Sequence, residues 1–337
     1  MKRVFCRLAV MAGLVLASLP VSDPARADSF VMDGKFFTPP PGMATIGDSH
    51  GDIAVSPQGE IYVSVQAGEH PGIQVYSAEG HYLRNVPGAP PDLHGFIIAR
   101  APDREFYIYG VSRLAQEIVQ LKLDGTRVLT IPASAIPAQY KKDDKQAINL
   151  TGIAVTPNGD IYVTDGYGLD FIHHFDRSGK YLATFGGKGA PWNFDQCHKI
   201  APDTRFKPLR LICTDRRHDR LVHMDMNGHI LGVFGWGLRL PSALAIRGNE
   251  LAVGELMGRV SILDRKGQIV SVIGSNDNVD EIRTNKAPPE IWKDGLFYAP
   301  HGVAYDAAGN LLVTEFNQYG RISRVRRIKE AGQGGQN

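Results

Sequence analysis

The sequence repeats one pattern six times. Each copy has an apolar strand, a turn of Pro, Asp, Asn or Gly, a second apolar strand, a polar gap, and a third strand running into D-x-x-G-x-x plus an apolar residue. The copies begin at residues 51, 95, 152, 199, 243 and 302, a spacing of about 45 residues with two longer gaps. The third copy is the clearest, with GIAVTPNGDIYVTDGYG followed by FIHHFDRSGKYLATFG. Because one such unit cannot bury both of its faces alone, the copies must stack on each other.

The repeat predicts an all-β fold, a six-bladed β-propeller of the NHL-repeat kind. Each copy supplies short strands that alternate apolar and polar residues, and radial stacking buries the faces of the resulting four-stranded sheets. We expect the propeller to occupy residues 28–331, with long loops at 133–149 and 274–298. Segment 29–46 is expected to supply a strand that closes the ring against the sixth copy, and residues 332–337 form a polar, disordered tail.

The first 27 residues have the features of a secretory signal peptide. A basic start, MKRVFCR, precedes an apolar run over 8–21, and Ala25-Arg26-Ala27 places small residues at both positions of an A-x-A cleavage site. The run is short for a membrane span, so an uncleaved anchor is the weaker alternative. A lipoprotein is disfavoured because Cys6 precedes the apolar run. We therefore predict a periplasmic or secreted protein without stable membrane insertion.

The charge of the predicted mature chain excludes one class of partner. The whole chain has a formal net charge of +2, and residues 1–27 contribute four basic residues and one acidic residue. The remainder therefore has a net charge of about −1, whereas nucleic-acid binding requires a basic surface. We expect no nucleic-acid partner, and we expect a monomer because the ring is closed.

One position of the repeat concentrates histidine. The residue just before each predicted inner strand is, in chain order, His50, His94, Thr151, His198, Ser242 and His301. Inner strands line the channel of a propeller, so these side chains should meet at one mouth. Three converging imidazoles can hold Zn²⁺ with one coordination position open. The alternative is structural, with the histidines capping strands and bonding to channel water.

Loops after the second strands reach the same mouth. Tyr167 can accept a proton where a cation favours its charged form, and Arg216 can bind a carboxylate or stabilise an oxyanion. Asp165 and Asp215, at the ends of the same strands, are more typical of carboxylates that accept turn N–H groups. An edge packing role is the alternative for Tyr167.

Two cysteines follow the predicted signal peptide. Cys197 precedes the inner strand of the fourth copy, and Cys213 lies near the end of its second strand. Antiparallel pairing would set them roughly opposite each other, and an exported protein can keep a disulfide. A nucleophilic cysteine, or Cys197 as an additional metal ligand, remains open at this point.

Three segments resemble one known family. The stretch over 162–186 (YVTDGYG, then HHFDRSGKYLATFG), the following TDRRHDRLVHMDMNG and the late APHGVAYD are similar to the peptidyl-α-hydroxyglycine α-amidating lyases and their bacterial NHL relatives. The similarity covers most of the predicted mature chain. These lyases cleave the N–Cα bond of a C-terminal hydroxyglycine and release a peptide amide and glyoxylate. The resemblance implies a six-bladed propeller whose catalytic zinc is held by three histidines at inner-strand starts.

The resemblance assigns roles to five residues. The zinc ligands would be His94 in D-L-H-G (P-H-G in the family), His198 in Q-C-H-K (V-P-H-S) and His301 in P-H-G (P-H-D). Tyr167 matches the catalytic tyrosine of the S-D-G-Y motif, and Arg216 matches the arginine of A-D-R-E-N. The implied catalytic pair is therefore Tyr167 and Arg216, and the implied cofactor is zinc.

Two departures from the family bear on the substrate. The family has a further arginine in its first blade, and the corresponding stretch here, SVQAGEH over 64–70, has none. The acid that follows the third family histidine and helps to hold a structural calcium is Gly302 here. Calcium therefore lacks support, and an altered substrate is expected.

The sequence thus predicts an exported zinc-dependent lyase that acts on a small α-hydroxy-amide of the peptidyl-hydroxyglycine type. The substrate would be a small molecule or the C-terminus of a peptide. One alternative is a calcium-dependent lactonase of the gluconolactonase type, for which Glu255 and Glu315 form an incomplete acidic set. The other is a periplasmic NHL propeller that binds a partner without catalysis.

Overall fold

The computed structural model describes residues 29–142 and 148–328. Within these ranges the chain forms twenty-four strands in six four-stranded antiparallel sheets. The first strands of neighbouring blades pack against one another and so line a central channel. The all-β six-bladed propeller is confirmed. The predicted signal peptide and the predicted tail over 332–337 lie outside the described residues.

The first three blades take their strands from consecutive stretches of the chain. The first contains β2 (Ile53–Val55), β3 (Ile61–Val65), β4 (Gly72–Tyr76) and β5 (Tyr82–Asn85). The second contains β6 (Leu93–Arg100), β7 (Phe106–Ser112), β8 (Glu117–Lys122) and β9 (Arg127–Pro132). The third contains β10 (Gly152–Val155), β11 (Ile161–Thr164), β12 (Phe171–Phe175) and β13 (Tyr181–Gly186).

The remaining blades complete the ring. The fourth contains β14 (Cys197–Asp203), β15 (Arg210–Asp215), β16 (Arg220–Met224) and β17 (Ile230–Gly235). The fifth contains β18 (Pro241–Arg247), β19 (Glu250–Glu255), β20 (Arg259–Leu263) and β21 (Ile269–Ile273). The sixth contains β22 (Pro300–Tyr305), β23 (Leu311–Glu315), β24 (Ile322–Ile328) and, from the other end of the chain, β1 (Ser29–Asp33).

The strand β1 closes the ring. It pairs antiparallel with β24, from Ser29 opposite Ile328 to Asp33 opposite Arg324, and forms the outer edge of the sixth blade. Met32 on this strand is buried in a cluster with Phe297 and other residues of the last two blades. The predicted closing strand is therefore confirmed.

The hydrophobic core lies between the blades. One cluster joins Val111 of the second blade to Ile153 and Val163 of the third. Another joins Leu312 of the sixth blade to Ile61 of the first. Both faces of each sheet are covered in this way, which is why the inner and middle strands read as nearly continuous apolar runs.

The D-x-x-G signature forms the hairpin between the third and fourth strands. In the third blade the Asp176 carboxylate accepts the backbone N–H groups of Ser178 (2.8 Å) and Lys180 (3.0 Å). Gly179 adopts φ of +85°, which disfavours residues with a side chain. The Asp and Gly of the repeat pattern are therefore explained by the hydrogen bonds and the backbone conformation of this turn.

The long connections contain only short 3₁₀ turns among the described residues. Ala133–Ala135 and Ala138–Tyr140 lie between the second and third blades, Pro289–Ile291 lies between the fifth and sixth, and Arg216–His218 follows β15. The described portions of the predicted loops agree with this, and residues 143–147 are outside the description. No helix in the described ranges is long and apolar enough to cross a membrane.

A disulfide joins Cys197 and Cys213 in the fourth blade, with their Cα atoms 5.9 Å apart. The two residues lie on the paired strands β14 and β15, next to a bulge that shifts the register. Both sulfur atoms are consumed by this bond. The structure therefore excludes Cys197 as a nucleophile or a metal ligand while the disulfide is intact.

Candidate active site

Local breaks in strand pairing aim the histidines at the channel mouth. His94 and His301 each sit between two paired residues of an inner strand, where one extra residue interrupts the register. His198 lies in the longer break between Cys197 and Ile200. A bulged residue leaves the ladder, and its side chain can turn to a new direction. At these three histidines the repeat position identified from the sequence is thus part of a bulge.

The four histidines form one cluster. Ring centres of His94, His198 and His301 lie 5.0 Å apart in every pair. His50 lies 4.9 Å from His94 and 4.8 Å from His301, and its other side packs on Phe316 at 4.2 Å. All three histidines predicted as metal ligands are therefore brought together, with His50 as a fourth member.

Backbone carbonyls fix the tautomers of two rings. The Nδ1 atom of His94 lies 2.8 Å from the Thr151 carbonyl oxygen, and that of His198 lies 2.9 Å from the Ser242 carbonyl oxygen. A carbonyl has no proton to give, so each Nδ1–H must donate and each Nε2 must hold a lone pair. Thr151 and Ser242, the ring positions without histidine, thus orient the histidines next to them.

Burial keeps the imidazoles neutral. Desolvation, followed by the charges of Arg113 and Arg216, lowers the pKa of His50 to about 3. Burial likewise holds the pKa values of His94, His198 and His301 well below the ordinary value, with smaller effects from their charged neighbours. Neutral imidazole is the form that binds a transition metal.

Glycines allow the inner strands to meet around the axis. A Cβ atom on Gly95 would lie 2.4 Å from the Thr151 carbonyl oxygen. One on Gly302 would lie 2.5 Å from Thr314 Oγ1 and 3.1 Å from the Asp52 Cα atom. Gly302, where the resembling family has an acid, therefore has no room for a carboxylate in this arrangement.

Tyr167 joins the histidine cluster to an arginine. Its phenolic oxygen lies 3.1 Å from His198 Nε2, and Arg216 Nη1 donates to it at 3.2 Å. Since His198 Nε2 is an acceptor, the Tyr167 hydroxyl donates. Gly166 leaves no space for a side chain at the preceding position, because its Cβ would meet the Cys197 carbonyl oxygen at 2.5 Å. Both predicted catalytic residues therefore lie at the cluster, and the Tyr167 hydroxyl faces it.

Arg113 is a further arginine at the site that was not predicted from the sequence. Its guanidinium lies 5.1 Å from the centre of the Tyr167 ring, and that of Arg216 lies 5.7 Å from the same centre. Ser112 ends β7 where Asp215 ends β15, so Arg113 and Arg216 occupy the same place in the repeat. The repeat register could therefore have identified Arg113 from the sequence. The similarity to Arg216 was not recognised because Ser112, and not an acid, precedes Arg113.

The acids at the ends of the second strands are structural. Asp165 accepts the backbone N–H groups of Asn149 and Leu169, and Asp215 accepts that of Asp195. Their predicted role in holding turns is confirmed.

Glu255 and Glu315, the acids considered for a lactonase, are engaged in the same manner. Glu255 bonds to the Arg239 backbone and pairs with Arg259. Glu315 accepts the Ala299 N–H at 2.8 Å and pairs with Arg321. Neither acid is available for a calcium ion at the mouth.

A buried ion pair crosses the channel next to the cluster. Lys199 of the fourth blade bonds to Asp52 of the first, and both side chains are nearly inaccessible to solvent. Asp52 also accepts the Phe96 N–H at 3.0 Å. The two residues lie one and two positions beyond His198 and His50 along the inner strands. The pair therefore links the first and fourth blades across the channel, next to the histidine cluster.

The histidine donor set suits a transition metal. The ligand atoms of His50, His94 and His301 lie within 4.8 Å of one another. The Nε2 atoms of His94 and His301 are buried and have no hydrogen-bond partner among the described residues. Buried polar atoms without partners are costly, and a bound metal would satisfy them. His198 lies outside this tightest group, and its Nε2 faces the Tyr167 hydroxyl.

Comparison with known proteins supports the fold. No protein-family profile matches the sequence. A streptogramin B lyase superposes with a TM-score of 0.56 at 16% identity, over 89% of this chain and 98% of that chain. Virginiamycin B lyase from Staphylococcus aureus gives the same TM-score and identity, over 89% of this chain and 100% of that chain. A variant of that enzyme with one histidine changed to alanine is catalytically inactive. A gluconolactonase from Xanthomonas campestris superposes with a TM-score of 0.56 at 13% identity, over 84% of this chain and 89% of that chain.

At these identities the similarity establishes the six-bladed propeller alone. Propellers support many unrelated functions, so the chemistry must be argued from the site.

Proposed function

We propose that this protein is an exported, zinc-dependent lyase that acts on a small α-hydroxy-amide of the peptidyl-α-hydroxyglycine type. The supporting observation is the hydrogen-bonded series from Arg216 through Tyr167 to His198, which joins the histidine cluster. It places a cation, a proton-transfer group and a metal-binding group side by side. Neighbouring propellers named as lyases indicate only that this fold can accommodate such chemistry.

We assign the zinc to His94, His198 and His301. His94 and His198 are held by carbonyl bonds that present Nε2 lone pairs, whereas His50 is only partly buried and has no such bond. Three imidazoles leave one position open, as in catalytic zinc sites. When bound, zinc would polarise the substrate hydroxyl and lower the cost of removing its proton.

Tyr167 and Arg216 would handle the proton and the charge. With zinc on His198 Nε2, the Tyr167 hydroxyl would lose that acceptor, and its oxygen, which lies next to the cluster, would be the proton acceptor for the substrate hydroxyl. Arg216 stabilises the oxygen of Tyr167 through Nη1 and keeps two further N–H groups for the substrate carboxylate. Arg113 adds a second positive charge near the ring of Tyr167.

The reaction balances without a further reactant. The hydroxyl proton leaves, the carbon–oxygen bond becomes a carbonyl, and the carbon–nitrogen bond breaks. The amide nitrogen takes up the proton, so the products are an amide and glyoxylate.

Export and a monomeric state complete the proposal. The predicted signal peptide would deliver the chain to the periplasm or the medium. The Cys197–Cys213 disulfide suits an oxidising compartment.

The test is glyoxylate release from an N-acylated aminoacyl-α-hydroxyglycine by zinc-loaded mature protein. We expect release that His94→Ala abolishes and that an exposed change, His229→Ala, leaves intact; the His229 side chain is 79% exposed. The same preparations are assayed with a gluconolactone and calcium. Lactone hydrolysis without glyoxylate release would replace the lyase by a lactonase, and inactivity in both assays despite bound zinc would favour a binding propeller.

A further inference from the structure

A cleft of about 450 Å³ opens beside the histidine cluster. Its lining includes Arg216, Arg217 and Arg283 together with a single acid, Asp195. Leu240 and Leu256 form an apolar wall. The cleft is therefore shaped for a ligand with a short carbon frame and negative charge.

Arg216, which lines this cleft, has side-chain donors that no described residue uses. Its side chain is buried, yet Nε and Nη2 have no hydrogen-bond partner among the described residues. Burial, and then the charges of Arg217 and Arg283, lower its pKa, while Tyr167 opposes that change. A buried guanidinium with two free N–H groups is a fork for an oxyanion.

Arg283 supplies a second cation from a different element. It belongs to the loop between the fifth and sixth blades, and its backbone N–H donates to the Tyr298 carbonyl at 3.0 Å. Its side chain is exposed and makes no hydrogen bond or ion pair with any described residue. Arg217, by contrast, faces Asp195 at 3.8 Å.

The arginines therefore leave uncompensated positive charge at the mouth. The described residues supply no carboxylate to either Arg216 or Arg283, and Arg113 is bonded only to the neutral Asn149 side chain at 2.9 Å. One monoanionic carboxylate would satisfy the fork of Arg216 and leave Arg283 unpaired.

We propose that Arg216 and Arg283 together form a subsite for a small dianion, so that the substrate bears a second acidic group besides the carboxylate next to its hydroxyl. This inference rests on the proposed function for the name of the substrate, but the subsite itself is independent of the metal. A dicarboxylate and a phosphate share the required charge. The amino-acid residue on the amide side of the substrate would then be acidic or phosphorylated.

The experiment is calorimetric titration of the mature protein after chelation of metal, so that no ion in the site binds the ligand. The probes are malonate, neutral malonamide, monoanionic acetate and inorganic phosphate at low ionic strength. We expect malonate or phosphate to bind, malonamide to show no binding, and acetate to bind more weakly. The stronger of malonate and phosphate identifies which kind of dianion the subsite prefers.

Matched variants locate the binding. Arg283→Gln should weaken dianion binding about ten-fold or more and leave acetate binding unchanged, because a charge-assisted bond is lost. Arg177→Gln, at an exposed hairpin of the third blade, should leave every affinity unchanged. Circular dichroism checks the fold of each variant.

Equal binding of malonate and malonamide, or an Arg283→Gln variant as tight as the parent, would overturn the subsite. Glyoxylate release from the proposed substrate together with either result would reject the subsite and keep the lyase. Dianion binding that depends on Arg283 without glyoxylate release would keep the subsite and reject the lyase.

Discussion

At the scale of single residues, the site depends on Tyr167. Gly166 has no side chain and so allows the chain to pass close to the fourth blade, and the next side chain lies at the cluster. The hydroxyl then has one neutral acceptor, His198, and one cationic donor, Arg216. With zinc on His198, Arg216 would hold the phenolic oxygen where it can take up and return the proton of the substrate hydroxyl.

Tyr167→Phe tests this role. Removing one oxygen keeps the ring and its contacts with Arg113 and Arg216, so the fold and the zinc content should be unchanged. Turnover should fall by about 10²-fold to 10⁴-fold, the usual contribution of a general base. Tyr181→Phe, whose hydroxyl bonds to Thr184 on an outer strand, is the matched control. Full turnover in Tyr167→Phe would remove the tyrosine from the mechanism.

At the scale of elements, the fourth blade is secured at both ends of its inner strand. The disulfide lies near the mouth end of β14. At the other end Asp203 accepts Arg205 Nε at 2.8 Å, Arg205 Nη2 at 2.7 Å and a bond from His223 Nε2 at 2.9 Å. Burial opposes the charge of Asp203, but these bonds outweigh it and hold the pKa well below the ordinary value.

Asp203→Asn should destabilise the protein in a pH-dependent way. At pH 7 we expect a loss of about 3–5 kcal/mol in unfolding free energy, because Arg205 is left buried without its partner. The pKa of Asp203 is lower in the folded state than in the unfolded state, so its ionised carboxylate stabilises the fold at pH values above the unfolded pKa, near 3.9. This stabilisation is lost as the pH falls through the folded-state pKa. The difference between parent and variant in urea unfolding should therefore shrink from pH 7 to pH 3.

The exposed change Glu79→Gln is the control for this series and should have little effect at either pH. A difference for Asp203→Asn that stays constant over the range would show that the ionised carboxylate is not the stabilising form.

At the scale of the whole molecule, the ring is closed without a covalent link between its ends. The pairing of β1 with β24 ties the start of the propeller to its last blade. Met32 buries its side chain in the cluster between the fifth and sixth blades, while Val31 on the opposite face is 39% exposed.

Met32→Ala should therefore lower the unfolding free energy by about 2 kcal/mol or more, from lost burial and the cavity that remains. Val31→Ala, on the same strand, should change it by less than about 0.5 kcal/mol. Denaturant titration followed by tryptophan fluorescence measures both. Equal effects of the two changes would mean that the closing strand contributes through its backbone pairing alone.

The repeat made the blade count, the closing strand and the histidine ring predictable. All three follow from the alignment of the repeats, because residues at the same repeat position lie at the same distance from the propeller axis and at the same level along it. The disulfide could not be decided in advance, since the bulge at His198 shifts which residue of β15 faces Cys197. Arg113 was missed because its blade ends the second strand with Ser112 in place of an acid. The carbonyl bonds that orient His94 and His198 come from neighbouring blades and leave no mark in the local sequence.

The most direct test of the account is the metal content of mature protein purified without a histidine tag from a zinc-supplemented periplasm. We predict about one zinc per chain, as for a three-histidine site. His94→Ala, His198→Ala and His301→Ala should each lose it, while His50→Ala and the exposed His229→Ala should keep it. Zinc retained in His198→Ala but lost in His50→Ala would correct the ligand set. The absence of stoichiometric metal after supplementation and dialysis would contradict the account and make the histidine cluster structural.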